Sequence, residues 1–277
     1  MFKFFRHKSL GPEPTDTLGF LTRFYKTHDE EARFGTQRGK VEFLTTMRYI
    51  ERYLEPGMKV LEIGAATGRY SLTIARMGYD VTAIELVRHN IDVFRKKLKP
   101  GDRVDLQQGN ALDLSRFADG AFDMTLLFGP MYHLYTVEDQ SKALEEALRV
   151  TKPGGLLYVA YVISDITLHY MGFTEGRIEE WIAKGMVDPE TFRCRSEPKD
   201  LFNIQRREDI EALTAPLPCQ RLHYVASDGP IELMRSAIDK MSPKRFELYM
   251  NYRFAICERE DMVGATNHSL DILRKEA

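Results

Sequence analysis

Three observations predict an α/β fold with a mostly parallel sheet. Five short apolar runs alternate with helical patterns between Lys59 and Val162, the rhythm of βαβ units. The first run ends in Glu62-Ile-Gly-Ala-Ala-Thr-Gly68, a tight glycine turn that opens a helix. The second run closes on Glu85, an acid placed to grip a ribose.

Each element follows from its local pattern. Positions 18–53 read as helical, with Val41, Phe43, Leu44, Met47, Ile50, Tyr53 and Leu54 at helical spacing and Glu55-Pro56-Gly57 as the stop. Strands are expected at 59–63, 80–85, 103–108, 122–128 and 156–162. Helices are expected at 69–77, 89–98 and 138–150, the last with Ala143, Leu144, Ala147 and Leu148 on one stripe. Beyond Val162 the rhythm changes. Positions 164–198 read as an inserted, mainly helical cap, followed by a helix at 206–213, a strand at 221–226, helices at 231–241 and 243–258, and a closing strand at 268–273. The expected organisation is a tail and lid helix (1–37), a cofactor-binding core (38–163), a cap (164–205) and a C-terminal completion of the core (206–277).

The 277 residues, 43% hydrophobic and 29% charged, suit a globular chain with a sizeable core. A net charge of −2 argues against a nucleic-acid partner. Cys194, Cys219 and Cys257 are too scattered for a zinc site, so no metal is expected. Without a spanning run or a signal-peptide pattern, a cytoplasmic chain without stable membrane association is expected. A homodimer is left open.

The first turn separates two ligand classes. A dinucleotide fold uses Gly-x-Gly-x-x-Gly to approach a pyrophosphate. Here Gly64 and Gly68 flank Ala66, which stands where an intermediate glycine is expected, and Glu62 would repel a phosphate. An acid suits a ligand bearing an ammonium and a sulfonium.

VLEIGAATG, followed by AIEL and ALRVTKPGG, resembles the class I S-adenosylmethionine-dependent methyltransferases over about 41–162. The resemblance implies a Rossmann-like fold and S-adenosylmethionine as cofactor, with S-adenosylhomocysteine as product. It further implies that Glu62 helps hold the methionine amino group, beside Gly64, Ala65, Ala66 and Gly68. Glu85, with Leu86, would bind the ribose hydroxyls. Asn110, with Ala111, would meet the adenine amino group where the family usually carries Asp. Phe128 and Gly129 close the set.

After the fourth strand the chain reads Phe128-Gly129-Pro130-Met131-Tyr132-His133-Leu134. It lacks the Asp/Asn-Pro-Pro-Tyr/Phe signature of base N-methylation. It is similar instead to bacterial small-molecule methyltransferases with Gly-Pro-Leu-Tyr-His-Leu, which implies a small-molecule acceptor attacking through O, N or C. His133 is the candidate base and Tyr132 a candidate orienting group. The leading helix resembles that group's lid, which implies Tyr25 over the methionine end and Arg33 on its carboxylate. RNA or protein methylation, or cofactor binding without catalysis, are the alternatives. His268 reads as a structural histidine.

Overall fold

The computed structural model describes residues 14–27 and 35–277. Arg33 and the tail 1–13 lie outside the described residues. Within the expected leading helix, the described residues form α1 (Thr17–Thr27) and α2 (Gln37–Tyr53). Thr36 starts α2 by accepting a hydrogen bond from the Gly39 N–H, which satisfies one of its unpaired first-turn donors.

The core then follows as β1 (Lys59–Ile63), α3 (Arg69–Arg76), β2 (Asp80–Glu85), α4 (Arg88–Lys97), β3 (Val104–Gln108), β4 (Phe122–Leu127), α5 (Val137–Val150) and β5 (Thr151–Ile163). β1 pairs in parallel with both β2 and β4, β2 with β3, and β4 with β5. Alternate residues along a strand face opposite sides of the sheet. Leu61, Ile63 and Leu127 pack on the α5 stripe, where Ala143, Leu144 and Ala147 are fully buried. Val60, Met124 and Leu126 pack on Met47 and Ile50 of α2 and Ile74 of α3. Helices on both faces account for the near-continuous apolar strands.

The helices of the cap are short, α6 (Ser164–Thr167) and α7 (Ile178–Ala183), with a π-helical turn over Leu168–Thr174 between them. Leu168, Met171, Ile178, Trp181 and Val187 form its own small core. The chain returns through a two-residue strand, β6 (Ile204–Gln205), which pairs with the end of β5. Then come α8 (Arg207–Thr214), β7 (Cys219–Ala226), α9 (Arg235–Asp239), α10 (Pro243–Ile256) and β8 (His268–Lys275).

β8 runs antiparallel between β5 and β7, giving the order β3-β2-β1-β4-β5-β8-β7. The order reverses direction at β1 and β4. Ligands of such sheets bind at that switch, outside the carboxyl ends of the strands.

Candidate functional site

The first turn is built by close backbone approach. Gly64 has φ +86°, and a side-chain carbon there would sit 2.2 Å from the Phe128 carbonyl oxygen. Gly68, at φ +84°, would place one 2.4 Å from the Phe94 ring of α4. Ala66 also has positive φ, +46°, the left-handed region that a glycine there would enter without strain. The turn therefore keeps the backbone shape of a glycine-rich loop with an alanine at its middle position.

Two buried carboxylates flank this turn. Glu62 accepts from the Ser71 N–H at 2.8 Å and from the Ser71 hydroxyl, which ties it to the first turn of α3. Burial pushes its pKa up to about 7, against the opposing effect of the Ser71 hydrogen bonds; the nearby Glu85 charge adds to the rise. Glu85 accepts from the N–H groups of Ala66 and Val87, both at 2.8 Å, and from the Asn90 amide at 3.1 Å. Its pKa is also raised, chiefly by burial, although these donors oppose the shift.

At the end of β3, Asn110 is exposed, and its side-chain oxygen accepts from the Leu112 N–H at 3.1 Å. Ala111 behind it is buried. Leu86 lends its carbonyl to the Gln108 amide at 3.0 Å. Ala65 and Phe128 are buried, and Gly129 turns the chain at φ +99°. Tyr70, at the start of α3, meets Phe128 edge-on at 5.0 Å. Glu62, the glycine turn, Glu85, Asn110 and the Phe128–Gly129 turn thus lie along one edge of the sheet.

His133 sits beyond that edge, nearly buried. Its Nδ1 lies 2.6 Å from the Leu201 carbonyl oxygen, and its Nε2 3.4 Å from the Tyr25 hydroxyl of α1. A carbonyl only accepts, so Nδ1 carries the proton and Nε2 presents its lone pair. Phe202 lies against His133, with ring centroids 5.2 Å apart. Tyr132 contacts His133 on one side and His268 on the other part of its surroundings, at 6.2 and 5.7 Å between centroids.

Phe202 is also a wall of a mainly apolar cavity under the cap, which Met171, Trp181, Met186, Val187 and Ile204 complete. Thr167, Arg195 and Asp200 supply polar points. Of the aromatic residues in the cap region, only Trp181 and Phe202 line it among the described residues. Phe173 and Phe192 are exposed and Tyr161 is buried in the main core. A second hollow lies at the opposite, amino edge of β1–β3, around Lys59, Asp80 and Arg103, away from these groups.

Sequence reasoning missed Glu42 and Asp228. Asp228 follows β7, is fully buried and accepts from His268 Nδ1 at 2.7 Å. Glu42 of α2 lies 3.7 Å from the same nitrogen. No local pattern marks either residue, because the cluster forms only when α2, β7 and β8 meet.

Residues 61–159 match the methyltransferase domain family. A demethylmenaquinone methyltransferase of Renibacterium salmoninarum is 42% identical over 106 residues, 38% of this chain and 41% of that protein. A ubiquinone biosynthesis O-methyltransferase of Xanthomonas axonopodis pv. citri is 32% identical over 116 residues, 41% of this chain and 47% of that protein. The chain thus spans less than half the length of these relatives. Among solved structures, an S-adenosylmethionine-dependent methyltransferase of Thermotoga maritima, described as a possible histamine N-methyltransferase, superposes with a TM-score of 0.56 at 17% identity, over 94% of this chain and 100% of that one. One from Methanosarcina mazei gives 0.55 at 18% identity, over 82% of this chain and 97% of that one. At such identities the likeness is one of fold, and the strand order agrees with it. Residues 61–159 thus resemble a methyltransferase domain, and they lie on a Rossmann-like, mostly parallel sheet.

Proposed function

We propose that the protein transfers a methyl group from S-adenosylmethionine to a small, largely apolar acceptor. The observation that carries the reading is the pair of buried acids, Glu62 and Glu85, on either side of a tight turn at the switch point. A pyrophosphate at the turn would meet the Glu62 carboxyl group. A ligand with an ammonium, a sulfonium and ribose hydroxyls meets matching acceptors.

The residues present fit that ligand. Glu85 would accept the ribose hydroxyls at the end of β2, and Glu62 would balance the amino group from beneath the turn. Gly64, Ala65, Ala66 and Gly68 would shape the cradle, with Leu86, Ala111, Phe128 and Gly129 as apolar and backbone walls. Asn110 would meet the adenine edge. Arg33 would pair with the carboxylate, and Tyr25 would close over the methionine end. When bound, the cofactor supplies an activated methyl on a positively charged sulfur.

This chain's own residues must hold the acceptor in line and remove its proton. His133 is the candidate for the second task, since its Nδ1 is tied to Leu201 and its Nε2 is a hydrogen-bond acceptor. Tyr132 would orient the acceptor. The apolar cavity bounded by Trp181 and Phe202 favours a ring-like, poorly charged acceptor. The quinone-type substrates named for two relatives point the same way. No helix among the described residues is long and apolar enough to cross a membrane.

Calorimetric titration with S-adenosylmethionine, S-adenosylhomocysteine and NADH tests the cofactor assignment. Binding of the first two without NADH is expected. Preference for NADH would overturn it.

A further inference from the structure

The polar groups that line the cap cavity come mostly from one stretch of chain, Arg195, Ser196 and Asp200. Thr167, on the other side of the sequence, spends its hydroxyl on the Ile163 carbonyl at 3.1 Å. Asp200 differs from the acids around it. Glu197 pairs with Lys199 and Glu180 with Lys184. Asp200 is half-buried, and one of its oxygens, Oδ2, accepts from the Glu197 N–H at 2.9 Å, closing the 198–200 turn. Among the described residues, no cation lies within ion-pair distance of it and no group donates to its other oxygen. Burial raises its pKa, against the Glu197 N–H and the more distant charges of Lys199 and Lys184. A carboxylate is thus partly stripped of water with no counter-ion in contact. Arg195 is exposed, and its charge acts on Asp188.

The backbone holds Asp200 in place. The next residue, Leu201, has φ +69°, a left-handed conformation that a leucine keeps only when its surroundings impose it. Its carbonyl accepts from His133 Nδ1 at 2.6 Å and from the Tyr135 hydroxyl at 2.9 Å. Asn203 donates its N–H to the Tyr132 carbonyl at 2.6 Å and its amide to the Leu134 carbonyl at 2.9 Å. Residues 201–203 are therefore pinned to the 132–135 loop. Asp200 and Phe202, on either side of the strained leucine, both line the cavity, and Phe202 also lies against His133.

Building on the methyl-transfer reading, we propose that the cap cavity takes an apolar amine, its ammonium group bound by the unpaired oxygen of Asp200 and its hydrocarbon body against Trp181 and Phe202. An anion would meet the Asp200 charge, and a neutral alcohol would leave that charge unbalanced. One ammonium on a hydrocarbon body answers the carboxylate and matches the apolar walls. Aromatic faces nearby add to the attraction for a cation. Asp200 is then a specificity-determining residue that anchors the acceptor one residue from the His133 contact.

Trp181 is the only tryptophan of the chain, so its fluorescence reports on the cavity without any turnover. The full chain is titrated near neutral pH with three probes that share a phenyl ring: phenethylamine, a cation; phenethyl alcohol, neutral; and hydrocinnamate, an anion. Phenethylamine is expected to bind about tenfold more tightly than the alcohol, with hydrocinnamate weakest. Asp200→Asn keeps an oxygen for the Glu197 N–H and should erase the preference for the amine while the alcohol Kd holds. Arg195→Gln removes the opposite charge from the same wall and should leave amine affinity unchanged or higher. Equal affinity of the wild type for amine and alcohol, tighter binding of hydrocinnamate, or no response of Trp181 to any probe overturns the proposal. So does an amine preference that survives in Asp200→Asn. Equal loss of amine and alcohol in that variant assigns Asp200 to the turn alone and also overturns it. Calorimetry of S-adenosylmethionine on the same preparations reads the methyl-transfer assignment separately. Its failure in the wild type would strip the amine of its place as acceptor, while an Asp200-dependent preference for the amine would still stand.

Discussion

Ser71 donates both its backbone N–H and its hydroxyl to one carboxylate oxygen of Glu62, fixing a buried acid beneath the cofactor turn. Burial still dominates, so the Glu62 pKa rises from 4.5 to about 7. The folded state then binds a proton that the unfolded chain has already lost, and stability falls as pH rises through this window. The contribution is present below pH 4.5 and gone above about pH 7. Its size is of order 3 kcal/mol. Glu85 shifts in the same direction. Urea unfolding of the cofactor-free protein from pH 4.5 to 7.5 should show this decline, and Glu62→Gln should flatten much of it. An unchanged slope in the variant would assign the decline elsewhere.

Adding a methyl group at one position of the turn and removing it at another should shift stability in opposite directions. Gly68→Ala drives a carbon to 2.4 Å from the Phe94 ring at a φ of +84°. Overpacking and left-handed strain together should cost about 2–4 kcal/mol. Phe94→Leu in the same chain should recover the packing part and leave the backbone part. Ala66→Gly removes strain at φ +46° and should stabilise by up to about 1 kcal/mol, offset in part by the freer unfolded chain. Thermal melts of the three variants are sufficient to see both signs.

The contrast between Glu85 and Asp228 shows why the sequence revealed the residues along the cofactor turn and not the Asp228 cluster. Glu85 ends an apolar run 17 residues after Gly68, and both its strand and its turn are local patterns. Its donors, Ala66 and Val87, lie in the same βαβ unit. β1, β2 and β4 begin at 59, 80 and 122, where the apolar runs of the sequence begin. Asp228 instead meets His268, 40 residues on, and Glu42, far upstream, through an antiparallel strand whose place between β5 and β7 has no local signature. The internal breaks of the cap were hidden for a related reason. Its apolar residues satisfy a helical spacing, but the run is interrupted around Gly176 and Gly185, and β6 is too short to register as a periodic run.

The His133 Nε2–Tyr25 hydroxyl contact is long, 3.4 Å, whereas the Nδ1–Leu201 contact is short, 2.6 Å. The loop, rather than the leading helix, therefore sets the ring. Tyr25→Phe should leave turnover within a few-fold of wild type and change stability by less than about 1 kcal/mol. His133→Ala should lower turnover by about 100-fold with cofactor affinity unchanged. Unchanged turnover in His133→Ala, measured beside calorimetric cofactor binding, would remove His133 from proton transfer.

Cys194 offers a way to separate the cap cavity from the cofactor edge. It lines the cavity at a partly buried position, and burial raises its thiol pKa to about 12, with Arg206 opposing weakly. At neutral pH the thiolate is scarce, so alkylation by iodoacetamide should be slow in the folded protein. Cys194→Phe inserts a ring into the apolar space beside Trp181 and Phe202. If acceptors occupy that space, the acceptor KM should rise at least about tenfold while the cofactor Kd holds, since a filled hydrophobic pocket excludes its ligand by steric overlap. An unchanged acceptor KM would place the acceptor outside the cap cavity, on the Tyr132 side of the sheet edge.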